Sequence, residues 1–172
     1  MNSSGMMEYE ITDGYSTSGD YSTATGSVAV NDNEWHHISV VFDRDSLGYI
    51  YVDGTLDVSG YISSHNGDIS NNESLEIGVD LEHITQYTDG KLDEIAIWND
   101  DLTAAEVTAL YNSGDPLAAS SNSGNYTSSA NLKGYWNFNE GSGTTVADAS
   151  DNSNNGTISG ATWVSSNVNA NY

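Results

Sequence analysis

The sequence predicts an antiparallel, all-β protein with one short helix. In residues 35–43 apolar and polar side chains alternate with a period of two, which is the pattern of a half-buried strand. A polar segment with a glycine, residues 44–48, leads to a second apolar run at 49–54. This run ends on the turn signal Asp53-Gly54 before the chain resumes at 55–58. The three runs are therefore predicted to form an antiparallel meander.

The alternation in the first of these strands also predicts which way the side chains of two adjacent histidines point. Since neighbouring strand residues point to opposite faces, His36 and His37 cannot chelate one metal ion directly. We expect His36 to pack in the core beside Ile38, on the face that also carries Val40 and Phe42. His37 is expected to face water.

Further strands are predicted before and after the meander, separated by polar loops rich in Gly, Ser, Asn and Asp. A hydrophobic content of 37% suits a sheet protein whose outer faces are wet. The further predicted strands are residues 7–11, 27–30, 74–79, 91–98 and 132–138, with short pieces around 157–158 and 161–164.

The strand at 91–98 places a carboxylate on an apolar face, because Asp93 shares its face with Ile95 and Ile97. A carboxylate among apolar side chains needs a partner. The alternative is that Asp93 lies at the strand end and accepts a hydrogen bond from a nearby backbone N–H. The opposite face carries Leu92, Glu94, Ala96 and Trp98.

One helix is predicted at residues 102–111, where apolar residues recur near helical spacing. Thr103 and Glu106 have the spacing of a capping box at its start. A glycine and a proline follow its end as stop signals. Residues 113–130, rich in Ser, Asn, Gly and Ala, are interpreted as a linker.

The charge balance narrows the classes of partner. The chain has 25 acidic and 3 basic residues, a formal net charge of -22. Such a surface repels nucleic-acid phosphates and anionic membranes, so we expect no nucleic-acid partner and no membrane insertion. Bound calcium, adaptation to salt and the solubility of an exposed repeat are three open explanations of the charge. The absence of cysteine excludes disulfides.

Several segments together resemble a known family. Four of them resemble, in this order, the C-terminal half of laminin-G-like domains, which belong to the concanavalin A-like lectin and pentraxin group: residues 35–37, 51–54, 92–98 and 102–107. Residues 134–148 with 155–157 are similar to the opening of the same domains. The resemblance implies an antiparallel β-sandwich of the jelly-roll type.

The order of these matches departs from the family, since its usual beginning comes last here. We therefore divide the chain into residues 1–112, the C-terminal portion of a laminin-G-like sandwich, the linker 113–130, and residues 131–172, the family's N-terminal segment. A piece of a tandem array, a circular permutant or strand donation between molecules would each explain the order. We expect residues 131–164 to pack on the sheets of their own chain, because an incomplete sandwich exposes sheet edges.

The resemblance also implies a structural Ca2+ ion, held jointly by an acidic strand residue and the loop after the family's first strand. In this sequence it points to Asp93 and Asp148, with Asn152 and Asn154 adding carbonyl oxygens. The loop 148–156 concentrates the oxygen ligands that calcium prefers. An EF-hand is excluded, because no bidentate Glu follows and no helices flank the loop. The alternative is a solvated loop without metal.

We expect a binding module and not an enzyme, because the Glu-x-Asp-x-x-Glu pattern of related glycoside hydrolases does not occur. Sugar sites combine aromatic rings with Asp, Asn and backbone groups, and the loops supply all of these. The alternative is that their aromatic residues are ordinary loop residues. Candidates for the rim of a sugar site are Tyr15, Tyr21, His65, His83 and Tyr87.

The sequence thus predicts a non-catalytic module, extracellular or on the cell surface and secreted as part of a larger precursor. It is expected to bind a polysaccharide or a cell-surface glycan and to hold structural calcium. The alternative is a structural repeat of an adhesin or filament, completed by strand donation between neighbouring copies, which needs no ligand. The excess of acid suits a salty or divalent-rich outside environment, where charge is screened.

Overall fold

The computed structural model describes residues 1–14, 21–80 and 86–165. Within them the chain forms an antiparallel β-sandwich with one short helix, as the sequence predicts. The strands are β1 Met6–Ile11, β2 Ser22–Ala29, β3 Ile38–Phe42, β4 Leu47–Val52, β5 Thr55–Tyr61, β6 Val79–Asp80, β7 Gln86–Tyr87, β8 Ile95–Trp98, β9 Leu132–Trp136, β10 Thr145–Val146 and β11 Gly156–Thr157, and the helix is α1 Ala104–Tyr111.

The predicted meander is the central sheet, in the order β3-β4-β5. Strand β4 pairs with β3 through Gly48 and Phe42, and with β5 through Gly48 and Gly60. Between β4 and β5 the chain turns on Asp53 and Gly54, whose φ angles of 50° and 70° are left-handed. A hairpin turn with positive φ at both central residues matches the twist of the strands it joins.

Strands β1 and β2 pack on one face of this meander. Tyr9 and Ile11 form a buried cluster with Ile50 and Ile62. The ring of Tyr9 lies over the backbone of Gly48, where an added Cβ would come within 2.6 Å of it. A glycine at position 48 therefore allows the β1-β2 hairpin to approach the sheet.

The other face of the meander is covered by α1 and by the chain that follows it. Val41 and Tyr51 join Leu110 and Tyr126 in a second buried cluster. The sequence pattern places Val40 on the core face of β3. In the structure Val40 is 40% exposed and its neighbour Val41 is 7% exposed, so that prediction is wrong for Val40. Alternation separates the two faces of a strand, but it does not show which neighbours cover each face.

Helix α1 begins as predicted, with Thr103 as N-cap and a capping box between Thr103 and Glu106. Glu106 is buried and also accepts hydrogen bonds from the backbone of Thr127 at 3.2 Å and the hydroxyl of Ser128 at 2.6 Å. Burial raises the pKa of Glu106, but hydrogen bonds from Ser128 and Thr103 outweigh it and lower the pKa to about 2. In the described part of the chain, no helix has the length and apolar character needed to cross a membrane.

The segment interpreted as a linker, residues 113–130, contributes to the core. Ala119 is 4% and Tyr126 0% exposed, and the Tyr126 hydroxyl donates to the Ala119 carbonyl at 2.6 Å. The next strand, β9, pairs antiparallel with β8, so that Tyr135 lies opposite Ala96. In this structure β9 thus pairs with a strand of its own chain. Small polar residues suggest a linker by composition, but specific hydrogen bonds and one buried tyrosine fix the segment.

Candidate functional site

A cleft opens between β8, β9, α1 and residues 116–119. The space inside it that a water molecule can reach is about 30 Å³, and it opens to solvent. Small-molecule sites typically offer roughly 300–1,000 Å³, so the cleft admits only a small group of a ligand that lies across its mouth. Its polar and aromatic walls are His37, Glu94, Trp98 and Tyr135, and its apolar walls are Ala96, Leu110, Pro116, Leu117 and Ala119.

Strand β8 and the residue before it supply a carboxylate and an indole. Glu94, Ala96 and Trp98 share the face that lines the cleft. Glu94 has a φ of 54°, a left-handed conformation that costs a non-glycine residue roughly 1–3 kcal/mol. The hydroxyl of Tyr135, on β9, donates a hydrogen bond to Glu94 Oε2. The two strands therefore fix the position of this carboxylate together.

The indole of Trp98 is held by its own polar edge. Its Nε1–H donates to the Tyr126 hydroxyl at 2.9 Å, and the two rings meet edge to face with their centroids 6.4 Å apart. Burial raises the pKa of Tyr126, so its hydroxyl keeps its proton at neutral pH and donates it to the Ala119 carbonyl. Trp98 thus gives the cleft a rigid aromatic wall whose N–H is already satisfied.

His37 lies in the wall of the cleft, which corrects the expectation that it faces water. Its ring centroid is 6.0 Å from that of Tyr111, and its backbone N–H donates to Asp53 Oδ1 at 2.9 Å. Nδ1 of His37 is buried and has no hydrogen-bond partner among the described residues. Burial lowers the pKa of His37, so the imidazole is neutral at neutral pH. The burial comes from α1 and residues 116–119, which the alternation within β3 does not reveal.

His36 is held between two carboxylates. Its side chain is 16% exposed; Nδ1 lies 2.8 Å from Asp53 Oδ2, and Nε2 lies 3.1 Å from Asp32 Oδ1. The hydrogen bond to Asp53 is the main reason that the pKa of His36 is raised. His36 is partly buried, and two carboxylates hold it, whereas packing in the core beside Ile38 is the prediction from the sequence. Asp53 links it to the cleft through the backbone of His37.

Asp148, a predicted calcium ligand, organises its loop through backbone N–H groups. Oδ1 accepts hydrogen bonds from the backbones of Tyr135 and Ser150, each at 2.9 Å, and Oδ2 accepts one from Asn154 at 2.8 Å. Burial raises the pKa of Asp148, but these hydrogen bonds outweigh the effect of burial and leave the pKa below its usual value. The carboxyl is therefore ionised at neutral pH. The side-chain amides of Asn152 and Asn154 donate to carbonyls of β9. The loop is therefore hydrogen-bonded to the strand beside it.

Asp93, the other predicted carboxylate ligand, lies two residues before the start of β8. Its Oδ1 accepts the backbone N–H of Glu94 at 3.1 Å, which agrees with the alternative that Asp93 caps the strand end. Among the described residues, no group of three or more His, Asp or Glu side chains is placed to hold a metal ion. Both oxygens of Asp148 are used by backbone donors.

Residues 1–108, more than half of the chain, match the model of a sequence family, Laminin_G_3, described as the concanavalin A-like lectin/glucanases superfamily. The chain belongs to this superfamily. The resemblance seen in the sequence is thereby confirmed, and the match ends within α1 of this concanavalin A-like domain. A comparison with curated protein sequences gave no match.

Two solved structures are similar to this concanavalin A-like domain. One, from Bacteroides ovatus ATCC 8483, is described as a presumptive carbohydrate binding protein; the TM-score is 0.59 at 19% identity, over 79% of this chain and 37% of that one. The other is an S-layer domain-containing protein from Clostridium thermocellum ATCC 27405, with a TM-score of 0.41 at 19% identity, over 62% of this chain and 52% of that one. The domain thus spans 37% and 52% of these two chains.

Of the five predicted rim residues, the three that the structure describes do not line the cleft. Tyr15 and His83 fall outside the described residues. Tyr21 is 47% and Tyr87 69% exposed, whereas His65 is 4% exposed and its Nδ1 lies 3.1 Å from the hydroxyl of Ser22, next to Tyr21. The structure therefore places His65 against Ser22, and none of the three described residues lines the cleft.

The sequence does not predict the cleft, although it contains part of the signal. Strand alternation places Glu94 and Trp98 on one face, and a carboxylate alternating with an aromatic residue is a pattern that a binding site can use. The other two polar walls, His37 and Tyr135, come from distant parts of the chain. Only the pairing of β9 with β8 and the docking of residues 116–119 bring them to this face.

Proposed function

We propose that this concanavalin A-like domain is a non-catalytic carbohydrate-binding module whose sugar site is the cleft at Glu94 and Trp98. The observation that carries the proposal is the combination of a fixed indole, a fixed carboxylate and an imidazole around one open cleft. Sugars have apolar C–H faces that pack on aromatic rings and hydroxyl edges that hydrogen-bond to carboxylates. The name given to the similar Bacteroides ovatus protein supports the same class of ligand.

Binding without hydrolysis is the part of this proposal that separates the chain from the glucanases of its superfamily. Glycoside hydrolases use two carboxylates about 5–9.5 Å apart. Among the described residues that line the cleft, Glu94 is the one carboxylate. A single carboxylate can accept hydrogen bonds from hydroxyl groups, but it does not supply the acid and base pair. We place the module outside the cell, in a larger secreted protein, where glycans and polysaccharides are exposed.

Structural calcium is a second and separate proposal, drawn from the family resemblance, with Asp93, Asp148, Asn152 and Asn154 as its ligands. The ionised carboxyl of Asp148, in a loop rich in oxygen atoms, supports it. The backbone hydrogen bonds to both Asp148 oxygens compete with it.

The carbohydrate proposal is tested by filling the cleft with a larger side chain. Ala96 lies in the cleft wall beside Tyr135, so Ala96→Phe should reduce affinity for the best ligand of a glycan array by at least about tenfold, because the ring closes the cleft to the ligand. Binding is measured by isothermal titration calorimetry, and circular dichroism confirms that each variant is folded.

Strand β8 also supplies the matched control. Ile97 is the next residue, faces the other way and is 36% exposed, so Ile97→Phe should bind like the parent protein. A folded Ala96→Phe variant with parental affinity would contradict the assignment of the sugar site to this cleft. Failure of the parent to bind any glycan on the array would contradict the function itself.

A further inference from the structure

The imidazole of His36 has a carboxylate at each of its two ring nitrogens. Nδ1 lies 2.8 Å from Asp53 Oδ2, in the turn between β4 and β5, and Nε2 lies 3.1 Å from Asp32 Oδ1, in the segment before β3. A carboxylate only accepts hydrogen bonds, and a neutral imidazole has a single N–H to donate. Only the doubly protonated ring can donate to both carboxylates, so the geometry itself favours the imidazolium form of His36.

The carboxylate of Asp53 also fixes the turn in which it lies. Its Oδ1 accepts the backbone N–H of His37 at 2.9 Å, and the backbone N–H of Asp53 donates to the His37 carbonyl at 2.9 Å. The φ of Asp53 is 50°, a left-handed conformation that a residue other than glycine keeps only with support from its surroundings. The contact with His36 therefore bears on the conformation of the whole turn.

The same turn docks on α1 through its second residue, Gly54. The Thr108 hydroxyl donates to the Gly54 carbonyl at 2.9 Å, and the Tyr111 ring packs so closely that a Cβ added at Gly54 would come within 2.9 Å of it. The Tyr111 ring also lies beside the ring of His37, with the centroids 6.0 Å apart. One turn thus connects the imidazole of His36 to the helix that covers the meander.

From these contacts we infer that His36 is a pH-sensitive latch, whose imidazolium holds Asp53 and the turn against α1 and whose deprotonation releases this hold. Loss of one proton leaves a nitrogen lone pair facing a carboxylate oxygen, so one of the two hydrogen bonds is lost. Among the described residues, Asp53 and Asp32 are the charged groups that face the ring, and both favour its proton. The inference is independent of the sugar proposal.

The sign of the pH response follows from the same contacts. The hydrogen bond to Asp53 raises the pKa of His36 above that of the unfolded chain, about 6.5. The stabilisation by the latch is therefore fully present below about pH 6.5 and is lost as the pH rises through the folded pKa. His37 responds in the opposite sense, because burial lowers its pKa and the fold loses stability as the pH falls below about 6.5. The two effects oppose each other in global unfolding, so the latch has to be measured locally.

The test is an NMR titration of the intact, ¹⁵N-labelled protein between about pH 5.5 and pH 9, a range that spans the charge change of histidine. The ring nitrogens of His36 should titrate with a pKa above that of a histidine peptide. Over the same step, the protection of the His37 amide against solvent exchange, corrected for its intrinsic rate, should fall about two- to fivefold, as for the loss of a partly exposed ion pair. A His36 ring with one proton at the acidic end, or an amide protection that ignores the His36 titration, overturns the inference.

Two matched variants separate the specific contact from the general field of an acidic protein. Asp32→Asn removes one charged acceptor at an exposed position, so the pKa of His36 should fall and the step in His37 protection should move with it to lower pH. Glu34→Gln removes the same charge from an exposed side chain of the same segment and should leave both titrations almost unchanged. An equal shift in the two variants would assign the effect to the net charge of -22 and overturn the latch.

Discussion

At the scale of single residues, Glu106 is the side chain that ties together two parts of the fold. It completes the capping box of α1 with Thr103 and accepts hydrogen bonds from Thr127 and Ser128, 21 and 22 residues further along the chain. A buried carboxylate with this many donors is stable as an anion, because the donors replace the water that it loses. The residue therefore fixes both the start of the helix and the end of the segment that follows it.

The ionisation of Glu106 predicts how stability changes with pH. Its pKa of about 2 in the folded protein, against 4.5 for the ordinary group, corresponds to about 3 kcal/mol of stability at neutral pH. This contribution is fully present above about pH 5 and disappears as the pH falls towards 2. Glu106→Gln should thus cost about 3 kcal/mol at pH 7 and little near pH 2, measured by urea unfolding across this range.

The exposed Glu73 provides the control for this experiment, since Glu73→Gln should leave the unfolding free energy almost unchanged at every pH. A Glu106→Gln penalty that is the same at pH 7 and at pH 2 would show that the residue acts through shape and not through its charge.

The sequence predicts such residues as far as local spacing reaches. Thr103 and Glu106 are three residues apart, so their capping box can be predicted from the sequence, whereas the contacts of Glu106 with Thr127 and Ser128 depend on tertiary packing. His37 shows the same limit. Strand alternation places it opposite His36, but α1 and residues 116–119, which lie far along the chain, decide that it is buried.

At the scale of elements, the loop 148–156 takes its shape from one carboxylate. Asp148 accepts three backbone N–H groups, from β9 and from the loop itself, and the side chains of Asn152 and Asn154 hydrogen-bond to β9. The loop can be held in this way by hydrogen bonds alone, or by hydrogen bonds together with calcium. The two possibilities differ in their response to a chelator.

If the calcium proposal holds, EDTA should lower the melting temperature of the parent protein. The expected fall is roughly 5–10 °C relative to a sample with calcium at about 100 times its dissociation constant. Asp93→Asn should abolish this response, and Asp151→Asn, an exposed change in the same loop, should retain it. A melting temperature that does not respond to EDTA in the parent, measured by differential scanning calorimetry, would remove calcium from the account.

The elements that the sequence predicts well are those with local signals. The meander β3-β4-β5 has alternation and turn residues, and α1 has a capping box and stop signals. The segment 113–130 has neither signal, and its composition suggests a linker. Its order comes from the burial of Tyr126 and from the contacts of Glu106, which no pattern within the segment predicts.

At the scale of the whole molecule, the cleft depends on the antiparallel pairing of β9, late in the chain, with β8. His37 precedes β3, Glu94 precedes β8 and Tyr135 lies in β9, so the polar walls of the cleft come from three distant regions of the chain. The fold class and the superfamily could be predicted from the sequence, since each depends on repeated local patterns. The site could not, because its walls belong together only in the folded chain.

The central claim is that the sugar site is the cleft at Glu94 and Trp98 and not the loop rim predicted from the sequence. The most direct test is a two-dimensional ¹H-¹⁵N NMR titration of the labelled protein with the best glycan of the array. We predict that the signals of His37, Glu94, Tyr135 and the Trp98 indole shift, while those of Tyr21 and Tyr87 stay in place. Shifts that cluster at Tyr21 and Tyr87 and leave the cleft signals unmoved would contradict the account.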